Sequence, residues 1–168
     1  QNLVVSGSQD YTITIQGEVS ALSLDVKNTQ GTVSITAADE SSFIMGDCGI
    51  TKTGKGTLLM NAANTYTGGT RISGGELVAA HASALGSGAV VLENARLTIG
   101  AAGVNNAISA SGNSSIHVSD GIVWKVSAPI RNNGTLALSG AIEAGGITDV
   151  THVPAGKIDV ILDTDAYN

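Results

Sequence analysis

Aromatic residues make up only 3% of this 168-residue chain, and it has one cysteine, Cys48, and two prolines, Pro129 and Pro154. With 42% hydrophobic residues and so few rings, the core has to be built from Val, Ile, Leu and Ala, which suits a narrow interior. A single cysteine excludes an internal disulfide framework. Cys48 reads as a small buried hydrophobe at a corner, the alternatives being an intermolecular link or a reactive thiol. So few prolines leave a hydrogen-bond ladder free to run without lost donors. No apolar run approaches 18 residues, so no membrane-spanning helix is expected. Helical periodicity is missing beyond one turn at His81-Ala82-Ser83-Ala84-Leu85, and the class is all-β.

Charge is scarce as well, with 13% charged residues and a net charge of −6. It is unevenly spread: residues 1–50 carry −5, residues 51–138 carry +3 and residues 139–168 carry −4. The few basic side chains form no stripe for phosphates, which excludes nucleic acid as a partner. The chain starts Gln1-Asn2-Leu3-Val4-Val5, without an initiator Met or a signal-like segment. That start reads either as the result of signal-peptide removal or as a cut from a longer protein.

What the chain has in abundance is glycine, 22 residues, and one recurring unit. A short run with two apolar residues separated by one position returns along the whole length. The first members are Ile13, Val33, Leu58, Leu77, Leu97, Ile116, Leu136 and Ile158, at intervals of 20, 25, 19, 20, 19, 20 and 22. The second members are Ile15, Ile35, Met60, Ala79, Ile99, Val118, Leu138 and Val160, and a polar or charged residue precedes each first member. Alternation of this kind is the pattern of a strand with one buried face, and a fixed period of about 20 residues is the signature of a solenoid. Three short strands and their corners fit in that length. The expected fold is therefore a right-handed, single-stranded parallel β-helix of roughly eight coils, one segment over residues 1–168, with the first members stacked in a single internal ladder. Further expectations are an inserted loop at Asp39 to Gly49, a buried face shared by Leu22, Leu24 and Val26, a strand with Ile122, Trp124 and Val126 on one side, and a corner at Asn132-Asn133-Gly134.

The stretch Gly49 to Val78 organises the rest. It contains Thr51-Lys52-Thr53-Gly54-Lys55-Gly56-Thr57-Leu58, then Asn64-Thr65-Tyr66-Thr67-Gly68-Gly69-Thr70, then Gly74-Gly75-Glu76-Leu77. These three runs, in this order and spacing, closely resemble the passenger-associated transport repeat of bacterial autotransporters. The residues carrying the resemblance are Lys52, Gly54, Gly56, Thr57, Leu58, Asn64, Thr65, Tyr66, Gly68, Thr70, Gly75 and Leu77. The resemblance implies a parallel β-helix displayed outside the cell, exported through a C-terminal outer-membrane barrel, in which the repeat helps the passenger fold and cross the membrane. Its partners would be the rest of the passenger and that barrel, with any host-surface or self-association partner left open. This chain itself has no run of barrel-type strands with aromatic girdles.

Parallel β-helices can also carry polysaccharide-cleaving chemistry, which requires clustered carboxylates and a base on one outer sheet. The outward column between the two apolar members reads Thr14, Ser34, Leu59, Val78, Thr98, His117, Ala137, Asp159, with a single carboxylate. Glu76 beside Arg96 on adjacent coils fits a surface ion pair. His81, His117 and His152 fall on different coils, so no metal site is expected, and Asp163-Thr164-Asp165 lacks the glycine and glutamate of a calcium loop. Neither catalytic residues nor cofactors are expected. The expected role is that of a non-enzymatic stem and folding aid, the alternatives being a self-associating fibre or adhesin subunit and, last, a polysaccharide-acting enzyme.

Overall fold

The computed structural model describes residues 1–144, and over that length strands wind into seven stacked coils. The first coil holds β1 (Asn2–Gly7), β2 (Tyr11–Ile15) and β3 (Glu18–Ser20); the second holds β4 (Ser23–Asn28), β5 (Thr32–Ala37) and β6 (Phe43–Met45). The third has β7 (Gly49–Thr53) and β8 (Thr57–Asn61), the fourth β9 (Thr70–Ser73) and β10 (Glu76–Ala79), the fifth β11 (Val90–Glu93) and β12 (Arg96–Ile99). The sixth has β13 (Ile108–Val118) and β14 (Val123–Val126), and the seventh β15 (Ile130–Ser139) and β16 (Ala141–Ala144). Every pairing is parallel and joins one coil to the next, giving an all-β solenoid.

Two faces are continuous ladders. On one, β1, β4, β7, β9, β11 and β13 pair in turn; on the other, β2, β5, β8, β10, β12 and β13 do. Among the described residues the third side carries only the short pairs β3–β6 and β14–β16. In the seventh coil the corner expected at Asn132-Asn133-Gly134 is present as a bend within a strand, with Asn132 Nδ2 donating to Gly134 O at 2.8 Å. There β15 runs through without a break, paired to β13 with Gly112 opposite Gly134, and the two faces merge. A side chain on Gly134 would collide with the Gly112 backbone, so the bend stays in the ladder by omitting a Cβ.

The internal ladder exists, with a corrected register at both ends. Val33, Leu58, Leu77, Leu97 and Ile116 stack in consecutive pairs and are all inaccessible to solvent. At the start, however, Tyr11 faces Val33 and Ile13 faces Ile35; at the far end Leu138 faces Ile116 while Leu136 faces Ser114. Each slip is by two residues. Period 2 explains why the slips escape a reading by alternation: a shift of two keeps every side chain on its own face of the sheet and changes only its neighbour. Leu136 is still buried and Ile13 is half-buried. Ile158 and Val160 lie outside the described residues.

The remaining local expectations divide. Trp124 and Val126 are buried and Lys125 exposed, as the alternation requires. Leu22 does not share the buried face of Leu24 and Val26; it precedes β4 and is 70% exposed. The extra length of the second coil, 26 residues from Leu24 to Ile50 against 20 from Ile50 to Thr70, is a turn at residues 38–42. Asp39 organises that turn by accepting bonds from Ser41 and Ser42. These bonds hold its carboxylate below the ordinary range, with the Ser41 hydroxyl the leading cause. The rest of the loop expected at Asp39 to Gly49 includes strand β6.

Because each coil packs only on its neighbours, core substitutions act locally. Leu77→Ala is expected to cost ~2–5 kcal/mol as a large-to-small change at a sealed position, against under ~0.5 kcal/mol for Thr14→Ala on the exposed face. Urea denaturation of the two variants checks the inward and outward assignments, and equal losses would contradict them.

Candidate functional site: the third and fourth coils

The twelve residues singled out in residues 49–78 come together as the corners and lining of two adjacent coils. Leu58 and Leu77 are successive rungs of the ladder. The glycines stand where neighbouring backbone leaves no room for a Cβ. On Gly54 (φ 81°) it would press on Asn28, on Gly56 it would stand 2.8 Å from the carbonyl oxygens of Gln30 and Gly31, and on Gly68 2.6 Å from that of Asp47. Gly75 (φ 66°) would bring it to 2.5 Å from the Gly54 carbonyl oxygen.

The polar residues of the motif do something alternation cannot show: they replace ladder bonds. In the third coil the third side has no strand, yet every second residue from Ala62 to Tyr66 is buried and the backbone there needs partners. Asn64 is buried; its Oδ1 accepts from Ile44 N at 2.9 Å in the coil before, and its Nδ2 donates to Ala84 O at 2.9 Å in the coil after. Thr65 N and Thr67 N donate to Ile44 O and Gly46 O, and Ser87 N donates to Tyr66 O. The Tyr66 ring is fully buried, with its hydroxyl 2.6 Å from Thr70 Oγ1, so two buried hydroxyls satisfy each other. Burial is the main cause that pushes this phenol far above its ordinary pKa.

Two later residues extend the device along the same side. Asn106 Nδ2 donates to Leu85 O, Gly86 O and Gly88 O, and Trp124 Nε1 donates to Val104 O at 2.8 Å. Asn106 stands two coil lengths after Asn64, and that spacing is the signal for it in the sequence. Asn28, which no motif marked, caps the corner between β4 and β5 by donating to Gly31 O and Thr57 O.

Lys52 occupies an unexpected place. It lies in an inward column between Val26 and Ile72, has no solvent exposure, and donates from Nζ to Thr53 O at 2.8 Å and Gly54 O at 2.9 Å. Burial draws its pKa down to about 8. Cys48 is buried at the corner before β7; desolvation, assisted by the charge of Asp25, raises its thiol pKa and so suppresses the reactive thiolate.

Among the described residues the outer surface carries ion pairs between adjacent coils. Arg96 meets Glu76 at 3.5 Å, as the adjacent-coil spacing suggests, and Arg71 meets Glu93 at 2.6 Å, each an exposed arginine on a half-exposed glutamate and worth little to stability. Thr98 is outward but only 6% exposed, because Glu76 and Arg96 both reach its hydroxyl and cover it. His117 Nδ1 is 2.8 Å from Ser139 Oγ. Among the described residues no group of three His, Cys, Asp or Glu gathers around a common point. His152, Asp159, Asp163 and Asp165 lie outside the described residues.

Comparison with known proteins agrees with this geometry. The family model described as passenger-associated transport repeat matches residues 50–79. The chain is 29% identical over 143 residues to the adhesin BmaC autotransporter of Brucella suis biovar 1 (strain 1330), an alignment covering 83% of this chain and 4% of that protein. The chain thus corresponds to a small part of the relative's length. No solved structure matches. The repeat, the relative and the solenoid agree in one respect: the chain is similar to a β-helical segment of an autotransporter passenger.

Proposed function

We propose that this passenger segment is a non-enzymatic stem whose third and fourth coils also act as a folding aid during export, with residues 1–168 forming one β-helical unit. The observation that carries the reading is Asn64, one side chain that ties the second, third and fourth coils through bonds to Ile44 and Ala84. A solenoid grows by adding coils to a formed edge. A block whose coils are cross-tied by a buried amide offers a firm edge and makes reversal through the export channel costly. The twelve motif residues serve this block as structural parts: ladder, corner and ladder substitute. The partners on this reading are the rest of the passenger and a linked C-terminal outer-membrane barrel.

The test removes one whole coil at a time from the full-length protein. Deleting residues 50–69 puts Thr70 where Ile50 was, and deleting residues 90–107 puts Ile108 where Val90 was, so both deletions preserve register. The first is expected to lower folded, protease-resistant passenger at the cell surface several-fold at equal expression. The second is expected to leave it near normal. Equal effects would reduce the segment to a spacer. Adhesion is a second reading, favoured by the relative's description as an adhesin; it predicts that outer-face substitutions abolish cell binding without changing display.

A further inference from the structure

The corner that holds Lys52 is built in a way that the stem and folding roles do not require. In a strand column where both neighbours are apolar, Val26 and Ile72, the chain buries an amine. The amine finds two carbonyl acceptors, on Thr53 and Gly54, and both belong to its own turn. An ammonium has three N–H groups to place and finds two acceptors here, so the charged form is left one bond short in a site sealed from solvent. The roof of the site comes from the fourth coil: a Cβ on Gly75 would stand 2.9 Å from Lys52 Nζ. Solvent is kept from the amine by that glycine corner lying over it.

No opposite charge compensates. From β4 come Asp25 and Lys27, both on the outward face, and from the turn itself comes exposed Lys55. Strand β9 brings Arg71, exposed and bound to Glu93; strand β10 brings Glu76, bound to Arg96 on the outer surface. Strands β5 and β8 carry no ionisable side chain. Among the described residues no carboxylate lies within ion-pair distance of Lys52.

We propose that the seam between the third and fourth coils is a proton-sensitive latch, in which the Gly74–Gly75 corner closes firmly over Lys52 when its amine is neutral and loosens when it is an ammonium. The lowered pKa of about 8 agrees with this geometry. In an opened seam the lysine returns to its ordinary value of 10.5. Between about 8 and 10.5 the open state therefore binds more protons than the closed one, and closure strengthens as pH rises through that window. Below about 8 both states are protonated, and the seam rests at its weakest constant level. The inference is independent of the stem and folding-aid reading, since a mere spacer could carry the same latch.

Hydrogen exchange on the whole 168-residue chain tests it, with intrinsic exchange rates corrected for pH and with Cys48→Ala as background so that thiol ionisation does not enter. Between pH 7 and 9 the protection of amides in residues 70–79 is expected to rise about tenfold relative to residues 90–99. Lys52→Met is expected to abolish that rise. No rise, an equal rise in residues 90–99, or a rise that persists in Lys52→Met overturns the latch. A second measurement covers the case of a variant that does not fold. Carbon-13 NMR of the Lys52 side chain in the unsubstituted protein is expected to titrate near pH 8, and a midpoint near 10.5 overturns the proposal.

Discussion

Leu58→Asp is expected to destroy the third coil and, with it, surface display of the whole passenger. Leu58 has no exposure and stands between Val33 and Leu77 in the continuous part of the ladder. Removing the leucine costs ~2–5 kcal/mol in lost burial and cavity. Placing a carboxyl among apolar rungs adds a further cost of about 1–3 kcal/mol even when the group takes up a proton to avoid charge. Against a typical total of ~5–15 kcal/mol for a domain, the loss is large enough to unfold the coil, and neighbour-only packing carries the damage to the second and fourth coils. The contrast is His117→Ser, on the outer surface beside Ser139, where a change within ~0.5 kcal/mol is expected. Denaturation of the isolated chain and protease-resistant passenger at the cell surface are the two readouts. If Leu58→Asp unfolds the isolated chain but the passenger is still displayed folded, the folding-aid mechanism is wrong.

The second large effect comes from a single methyl group. Gly75→Ala places a Cβ 2.5 Å from the Gly54 carbonyl oxygen and 2.9 Å from Lys52 Nζ, and nearer still to the Gly56 carbonyl oxygen, which already accepts from Glu76 N. Its φ of 66° costs an L-residue ~1–2 kcal/mol, and parting two close-packed corners adds ~1–3 kcal/mol. Gly17 supplies the control, with φ 72° and nothing within 4 Å of the site of a Cβ. Gly17→Ala should therefore show the conformational cost alone, ~1–2 kcal/mol. The expected gap between the two variants in a chemical denaturation series is the contribution of corner-on-corner contact. A Gly75→Ala loss no larger than that of Gly17→Ala would mean that the corners do not touch as described.

Much of this fold is legible without coordinates because two features of the chain are periodic and local. Alternation at two residues told inward from outward at Leu58, Leu77, Trp124 and Lys125, and the return of the unit every 20 or so residues revealed the coil. The motif residues of the third and fourth coils were legible for a different reason: their order and spacing carry a specific resemblance. Leu22 shows the limit of alternation, since at the edge of a strand the pattern continues in the sequence after the ladder that gives it meaning has stopped.

By itself the sequence determined the class, the repeat length, the composition of the core and the rungs from Val33 to Ile116, since each follows from which residues alternate and how often. Tertiary structure alone decided the register at the two ends, because a slip of two leaves every side chain on the same face and is invisible to a pattern of period two. It also decided how the third side is held where strands give out, through Asn64, Asn106 and Trp124, because a polar side chain in a sequence does not announce which carbonyl of another coil it will meet. Lys52 was settled at the same level: a lysine reads as surface until the corner of the next coil is seen to close over it.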